Sequence, residues 1–345
     1  MKACVYADLE TVEIHDIPKP VAAPDEALIK VSRAGICGTD LHIYLGHMDQ
    51  RVTRPLVMGH EMCGELVEIP DGAGFEVGDR AARIGDRVVV EPTVFCGECA
   101  ACKRGHTHVC QNLNFLGIDS PGAFQEFWNV PVDRLHAIPP SLSDNAAAMI
   151  EPLAVAVHDV RRAPVELGDQ AVVIGGGPIG LLVAHAARLD GAEVVISEVN
   201  PYRVGVAESF GFKTVDPTKD DLVETVMDWT NGAGCDLVFE VSGSAAGAKV
   251  MTDLPRVRGT ICLVGVQASA PVVDLHRFFW RELELKGCRV YESVDFQRAI
   301  RIAASGQIDL ESFVSKVVPF EEAEWGFEQM RDGGDIVKVL IDCQS

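Results

Sequence analysis

The feature that most constrains the fold is a regular alternation of apolar runs and helical stretches in the second half of the chain. The run QAVVIGG leads into PIGLLVAHAARLDG, AEVVISEV leads into RVGVAESFG, and the runs CDLVFEVSG and GTICLVGV follow. Alternation of strands and helices in this way is typical of a parallel sheet with helices on both faces. We therefore predict an α/β domain with a doubly wound sheet over residues 154–290.

The remainder of the chain has a different pattern. From Val12 to about Pro140, short β-type runs such as ALIKVSRAG, CGELVEI, DRVVVEP and AFQEFWNV are separated by Gly, Pro and Asp. This pattern predicts an all-β, barrel-like region. The tail from about Tyr291 is of mixed character, and we expect it to pack back on the β region. Residues 1–153 and 291–345 are therefore assigned to one domain.

A glycine-rich turn joins the first strand of the α/β region to its first helix. The stretch VVIGGGPIG places Gly175, Gly177 and Gly180 at G-x-G-x-x-G spacing, with Pro178 and Ile179 inside the motif. The glycines permit a tight turn, let the backbone approach a pyrophosphate and allow the helix to pack closely. The helix N-terminus also attracts phosphate charge. Such a turn alone is a weak signal, but the strand before it and the helix after it favour a dinucleotide site.

The type of dinucleotide is indicated at the end of the next strand, about 20 residues further on. Glu198 stands there, and its carboxylate can accept hydrogen bonds from both ribose hydroxyls. The same negative charge would repel the 2′-phosphate of NADP, so the residue favours NAD. Arg203 lies nearby in sequence and could serve that phosphate, but we place it against the adenine or in solvent.

Four cysteines lie within one short loop, CGECAACKRGHTHVC, as Cys96, Cys99, Cys102 and Cys110. Their C-x2-C-x2-C-x7-C spacing lets the chain wrap a tetrahedral ion with four thiolates, the closed coordination of structural zinc. Disulfides are disfavoured because adjacent C-x2-C pairs are strained. An iron–sulfur cluster is a stronger alternative than disulfides, since three cysteines at this spacing also begin a ferredoxin-type run. The longer last spacing and the Gln111 that follows favour zinc.

Charge and cysteine usage restrict the partners and the compartment. The chain has 51 acidic and 30 basic residues and a formal net charge of −21, which would repel nucleic acid and anionic membrane surfaces. We therefore predict no nucleic-acid partner and no membrane partner. No run of eighteen apolar residues and no apolar signal segment is present in the sequence. The other cysteines are scattered through apolar surroundings, as free thiols are in a reducing compartment, so we expect a cytoplasmic location.

Two further stretches, GICGTDLHIY and GHE, supply a thiol at Cys37 and an imidazole at His60. Each residue by itself could be an ordinary member of the core. Together they provide two of the three protein ligands that a catalytic zinc requires while one position stays open. A carboxylate completes the set, and both Glu61 and Glu151, the latter in MIEPLAVAVH, are candidates.

With GICGTD, GHE, the four-cysteine loop, EPLAVAVH and GGGPIG in this order over essentially the whole chain, the sequence resembles the zinc-dependent medium-chain dehydrogenase/reductase family. The sorbitol, 2,3-butanediol and threonine dehydrogenase branches are most similar. The resemblance implies a GroES-like β-barrel catalytic domain with a Rossmann domain inserted into it. It also implies one catalytic and one structural Zn²⁺ per chain, NAD as the cofactor, and a homo-oligomer, either a dimer or a tetramer.

The resemblance further implies a role for each residue of the site. The implied ligands of the catalytic zinc are Cys37 and His60, with Glu61 and Glu151 alternating with water. The hydroxyl of Thr39 would take the substrate proton, and His42 would relay it through the ribose. Asp40 would orient His60.

The expected reaction is hydride transfer between NAD and a secondary alcohol, namely a polyol, a sugar alcohol or a vicinal diol. Glutamate at position 151, where ordinary alcohol dehydrogenases commonly carry cysteine, is the reason for preferring secondary hydroxyls. An amino-alcohol dehydrogenase resembling threonine 3-dehydrogenase is an alternative, supported by THVC, FLGIDSPGAFQEF and EVNPYR. A zinc- and dinucleotide-binding protein without turnover is a further alternative, but it would have no need of an open metal site with a proton relay.

Overall fold

The computed structural model describes residues 1–70 and 72–345, which divide into two compact units. One unit is formed by Met1–Glu151 together with Glu292–Ser345, and the other by Pro152–Tyr291. The domain boundaries predicted from the sequence, after residues 153 and 290, fall within two residues of this division.

The strands of the described residues occupy both units. In chain order they are β1 (Lys2–Asp8), β2 (Thr11–Asp16), β3 (Glu26–Gly35), β4 (Leu56–Val57), β5 (Glu61–Glu68), β6 (Glu76–Val77), β7 (Arg80–Ala81), β8 (Arg87–Val90), β9 (Thr93–Val94), β10 (Asn114–Phe115), β11 (Phe127–Pro131), β12 (Leu135–Ala137), β13 (Gln170–Ile174), β14 (Glu193–Ser197), β15 (Lys213–Val215), β16 (Cys235–Glu240), β17 (Pro255–Leu263), β18 (Glu284–Gly287), β19 (Val314–Pro319) and β20 (Lys338–Asp342).

The α-helices of the described residues occur in both units. In chain order they are α1 (Gly38–Tyr44), α2 (Asp144–Ala148), α3 (Ile150–Arg162), α4 (Pro178–Leu189), α5 (Pro201–Ser209), α6 (Leu222–Trp229), α7 (Ala245–Val250), α8 (Leu275–Arg281), α9 (Ser293–Ser305) and α10 (Ala323–Arg331).

The second unit contains a six-stranded sheet in the order β15-β14-β13-β16-β17-β18, and every neighbouring pair is parallel. Its central strands are apolar because both faces are buried, with Val172, Val238 and Ile261 almost completely inaccessible. The strand order reverses between β13 and β16, so their carboxyl ends flank the switch point at which such sheets bind ligands. The predicted doubly wound parallel sheet is confirmed.

The first unit is built mainly from β-strands. A seven-stranded sheet runs β12-β8-β5-β3-β20-β19, with β11 also paired to β3, and a three-stranded sheet has the order β2-β1-β4. All pairs in the larger sheet are antiparallel except β19 with β20. The C-terminal strand β20 pairs with β3, so the predicted return of the tail to the first region is observed.

One short helix interrupts the region that the sequence predicts to be entirely β. Helix α1 begins directly after Cys37, which is its N-cap, and the backbone N–H of Cys37 donates to the carboxylate of Asp40 (2.8 Å). A carboxylate at the third helical position satisfies a donor at the helix start and thereby favours the helix. Its seven residues are too few to give a helical periodicity in the sequence.

Among the residues that the structure describes, no helix combines the length and the apolar character needed to cross a bilayer.

Candidate active site and metal centres

The ends of two paired strands bring the candidate ligands of a catalytic metal together. Strands β3 and β5 pair antiparallel with Gly35 opposite Glu61, so Cys37, just after β3, lies near His60, just before β5. One ligand atom each from Cys37, His60 and Glu61 lies within 4.8 Å of the other two. Gly35 is required for this approach, because a Cβ there would overlap the carboxylate of Glu61.

Asp40 contacts two members of this group, Cys37 and His60. Its Oδ2 accepts the hydrogen bond from Cys37, and its Oδ1 lies 3.5 Å from Nδ1 of His60. Asp40 is fully buried and His60 nearly so. At this distance the carboxylate is placed to orient the imidazole, as the carboxylate partners of metal-ligating histidines commonly do.

Lys338 pairs with Glu61 and was not among the residues predicted from the sequence. Its Nζ donates to Oε2 of Glu61 and to the carbonyl oxygen of Ile36 (3.0 Å), and both charged side chains are at most 2% exposed. Burial lowers the pKa of Lys338, but the negative charges of Glu61 and Cys37 raise it by more, so the pKa lies above its usual value. The available signal was a lysine inside the apolar run IVKVLID.

These residues fit a divalent metal ion. Oε1 of Glu61 is buried and has no hydrogen-bond partner among the described residues, so it is available to a cation. Burial and the charge of Glu61 raise the pKa of the Cys37 thiol. Burial lowers the pKa of His60, but Asp40 and Cys37 raise it well above its usual value. Cys37 and His60 therefore retain their protons in the absence of a metal and would release them when a metal binds. A set of sulfur, nitrogen and oxygen ligands suits zinc.

The other candidate carboxylate is Glu151, which is buried in the first turn of α3. It is not a member of the ligand group formed by Cys37, His60 and Glu61.

The predicted proton-relay residues lie on α1. Thr39 and His42 are three positions apart on this helix, so they share one face, and both are half-buried. Nδ1 of His42 lies 3.2 Å from Nδ1 of His47. Burial, and then the charge of His47, lower the pKa of His42. His47 was not identified from the sequence.

The four-cysteine loop forms a second metal-binding group. The sulfur atoms of Cys96, Cys99, Cys102 and Cys110 all lie within 4.8 Å of one another. Backbone N–H groups donate to them, for example from Cys102 to Cys99 (3.5 Å) and from Gln111 to Cys99 (3.5 Å). These bonds lower the pKa of Cys99 to about 6, as in a thiolate prepared for a metal. A closed set of four sulfurs fits a structural zinc ion.

In the second unit, the glycine-rich turn lies between β13 and α4. Gly175 adopts φ +106°, and its N–H donates to the carbonyl oxygen of Ser197 (2.8 Å). Gly177 is the N-cap of α4, with Pro178 in its first turn. A Cβ at Gly180 would overlap the carbonyl oxygen of Gly175, so only glycine lets the helix approach the turn this closely.

Glu198 lies directly beside this turn. Its carboxylate accepts hydrogen bonds from the N–H groups of Gly176 (2.6 Å), Val199 (2.8 Å) and Asn200 (2.7 Å), and the residue is 6% exposed. Arg203 is also close, since a Cβ at Gly177 would lie 3.8 Å from its Nη1. The loop therefore combines a glycine-rich helix start, which a pyrophosphate can approach closely, with a fixed carboxylate for a ribose.

Comparison with known proteins identifies two matching families. The family described as alcohol dehydrogenase GroES-like domain matches residues 23–140, and the family described as zinc-binding dehydrogenase matches residues 178–305.

Individual relatives match over almost the entire chain. A 2-dehydro-3-deoxy-L-galactonate 5-dehydrogenase from Pseudoalteromonas atlantica is 47% identical over 93% of this chain and 92% of its own. An L-threonine 3-dehydrogenase from Pyrococcus horikoshii is 35% identical over 96% and 95%. The crystal structure of a zinc-binding dehydrogenase from Sinorhizobium meliloti bound to NADP has a TM-score of 0.90 and 32% identity, covering 99% of this chain and 98% of that one.

Proposed function

Because the chain belongs to the zinc-dependent medium-chain dehydrogenase/reductase family and is an oxidoreductase of that family, we propose that it transfers hydride between a secondary alcohol and NAD. The observation that carries this proposal is the group formed by Cys37, His60 and Glu61 on one helix start and one strand end. The same chain holds a G-x-G-x-x-G turn with a fixed carboxylate beside it. A binding protein without turnover would need neither an open metal site nor the half-buried Thr39 and His42 next to it in sequence.

The substrate we propose is a polyhydroxylated sugar derivative, such as a sugar acid or a sugar alcohol, oxidised at a secondary hydroxyl. The relative with 47% identity is a dehydrogenase that acts at position 5 of a sugar acid. Glu151 supports the same class, since the resemblance to sorbitol and butanediol dehydrogenases links a glutamate at this position with secondary alcohols.

In the proposed reaction each side chain has a defined part. Cys37 and His60 hold the metal, with Glu61 offering only Oε1 because Lys338 occupies Oε2, and with Glu151 as the other carboxylate. A bound zinc would supply a Lewis acid that makes an alcohol oxygen more acidic, and a bound NAD would supply the hydride acceptor. The hydroxyl of Thr39 then accepts the alcohol proton and His42 carries it away.

We propose NAD rather than NADP as the cofactor. Glu198 is held by three backbone N–H groups, so its negative charge has a fixed position at the ribose end of the turn. A 2′-phosphate would meet that charge at close range and be repelled. The structural relative from Sinorhizobium meliloti binds NADP, and Arg203 lies beside Gly177, so both cofactors belong in the test.

A threonine dehydrogenase activity is the second candidate. It is supported by the 35% identity to the Pyrococcus horikoshii enzyme over almost the full length of both chains. An amino acid substrate requires a carboxylate side chain for its ammonium group, whereas a sugar acid or a sugar alcohol does not.

We also propose that the protein is a cytoplasmic homo-oligomer. Exposed apolar side chains in α8 and at β18 support self-association, with Phe279 and Trp280 about three-quarters exposed and Leu285 about half exposed. The scattered free cysteines support a reducing compartment. Light scattering of the purified protein measures its oligomeric state, and a monomer would contradict the proposed homo-oligomer.

The test of function is NADH formation by the zinc-replete protein on a panel of substrates. The panel contains 2-dehydro-3-deoxy-L-galactonate, sorbitol, D-arabitol, 2,3-butanediol and L-threonine, with NAD and NADP in parallel. Oxidation of a sugar derivative with NAD supports the proposal. Turnover of L-threonine alone would establish the second candidate, and faster turnover with NADP would contradict the role given to Glu198.

A further inference from the structure

The predicted relay histidine has a second histidine bonded to it. Nδ1 of His42 lies 3.2 Å from Nδ1 of His47, and the two ring centroids are 5.5 Å apart. His42 is half-buried and His47 is exposed. One ring of such a pair donates and the other accepts, so the two imidazoles share one proton between them.

The backbone fixes this arrangement at the end of α1. Gly46 adopts φ +72°, and the N–H of His47 then donates to the carbonyl oxygen of His42 (2.9 Å). A bond of this kind, closing a helix through a left-handed glycine, is a common helix C-terminus. The position of His47 relative to His42 is therefore set by the main chain and not by a mobile loop.

The burial of His42 and the exposure of His47 favour movement of a proton from the inner ring to the outer one. Burial and the charge of His47 lower the pKa of His42, so a proton is held poorly on the inner ring. The charged groups of α10 that act on α1, among them Glu324 and Arg331, influence Tyr44 and not His42. Asp49 follows in the same turn, where it pairs with Arg54 (3.0 Å). The outer ring is therefore the better-solvated site for a proton leaving His42.

We propose that His47 is a second relay residue, which accepts through its Nδ1 the proton that His42 has received and releases it to water from its Nε2. This inference rests on the proposed function, and His47 acts only through His42. The step balances because each imidazole takes a proton on one nitrogen and gives one from the other, so both return to the neutral form. In the reverse reaction the same path supplies a proton.

The kinetic test is the substitution His47→Gln in the zinc-replete protein, with His15→Gln as the matched control. His15 is another histidine at the surface of the same unit, with its side chain 42% exposed and paired with Glu13 on β2. We expect His47→Gln to lower kcat for alcohol oxidation by about tenfold, with KM for NAD unchanged, because general-base steps contribute factors of this size or more. Added imidazole buffer should restore the rate in this variant only. Unchanged kcat without buffer dependence would overturn the relay and leave the dehydrogenase activity intact.

A second readout does not require turnover. NMR titration of His42 should show a higher pKa in His47→Gln than in the wild type, because one of the causes lowering it is removed. An unchanged pKa of His42 in this variant would overturn the relay whether or not an alcohol is oxidised. Absence of NADH formation by the wild-type protein, in contrast, would count against the proposed function.

Discussion

Lys338 limits what Glu61 can do as a ligand. A buried carboxylate needs a positive partner, and Glu61 has Lys338 on Oε2 while Oε1 has no partner among the described residues. A dication at the site would provide a second partner for the same carboxylate. The ion pair and the metal therefore compensate the same charge, so their contributions to stability should be coupled.

Replacing Lys338 tests this coupling. Lys338→Met leaves Glu61 buried without its cation, so the metal-free protein should lose about 3–5 kcal/mol of unfolding free energy. Zinc should restore part of this loss, and by linkage the variant should bind zinc more tightly than the wild type. Urea unfolding with and without zinc measures both effects.

Lys316→Met is the control for this substitution. Lys316 forms an exposed ion pair with Glu322 (2.9 Å), for which a change of at most about 1 kcal/mol is expected. An equal loss for Lys338→Met in the presence and absence of zinc would contradict the shared role of Lys338 and the metal.

Backbone N–H groups of the four-cysteine loop prepare its sulfur atoms for a metal. The N–H groups of Cys102 and Gln111 both donate to the sulfur of Cys99 and stabilise it as a thiolate. Because the pKa of Cys99 is about 6, this thiol is ionised at neutral pH, whereas an ordinary thiol is mostly protonated.

Alkylation should therefore identify Cys99 in the zinc-stripped protein. Its rate with iodoacetamide should be half-maximal near pH 6, fall below that pH as the thiolate is protonated, and be suppressed by zinc. Cys4 is the internal control, since burial raises its pKa to about 12. Peptide mapping by mass spectrometry measures both. Equal labelling of Cys99 with and without zinc would show that the loop does not hold the metal.

In the glycine-rich turn, substitution of Gly180 should affect stability, whereas substitution of Gly177 should affect NAD binding. A Cβ at Gly180 would overlap the carbonyl oxygen of Gly175, so Gly180→Ala should cost about 1–3 kcal/mol of stability. At Gly177 the nearest atom is Nη1 of Arg203 at 3.8 Å and φ is −70°, so Gly177→Ala should fold with stability within about 0.5 kcal/mol of the wild type. The added methyl group should nevertheless keep the backbone from a pyrophosphate and weaken NAD binding.

Thermal unfolding and calorimetric titration with NAD distinguish these effects. If Gly177→Ala bound NAD as tightly as the wild type, the turn would not be the pyrophosphate site.

For the whole molecule, the sequence was informative wherever the signal was local. The alternation of apolar runs predicted the parallel sheet, and spacing alone grouped Cys96, Cys99, Cys102 and Cys110. The partner of Glu61 could not be predicted in this way, because Lys338 lies 277 positions away and meets it only through the pairing of β20 with β3. The pairing of His47 with His42 depends on a left-handed glycine, which a sequence pattern does not specify.

The central claim is that Cys37 and His60 hold a zinc ion at which an alcohol is oxidised by NAD. The most direct measurement is zinc content together with NADH formation for the wild type, Cys37→Ser and Cys99→Ser, using the alcohol of the panel that is oxidised fastest. We expect two zinc ions per wild-type chain. For Cys37→Ser we expect one zinc ion and no NADH formation, and for Cys99→Ser residual activity in the fraction that stays folded. NADH formation by Cys37→Ser at the wild-type rate would show that Cys37 does not hold a catalytic zinc ion.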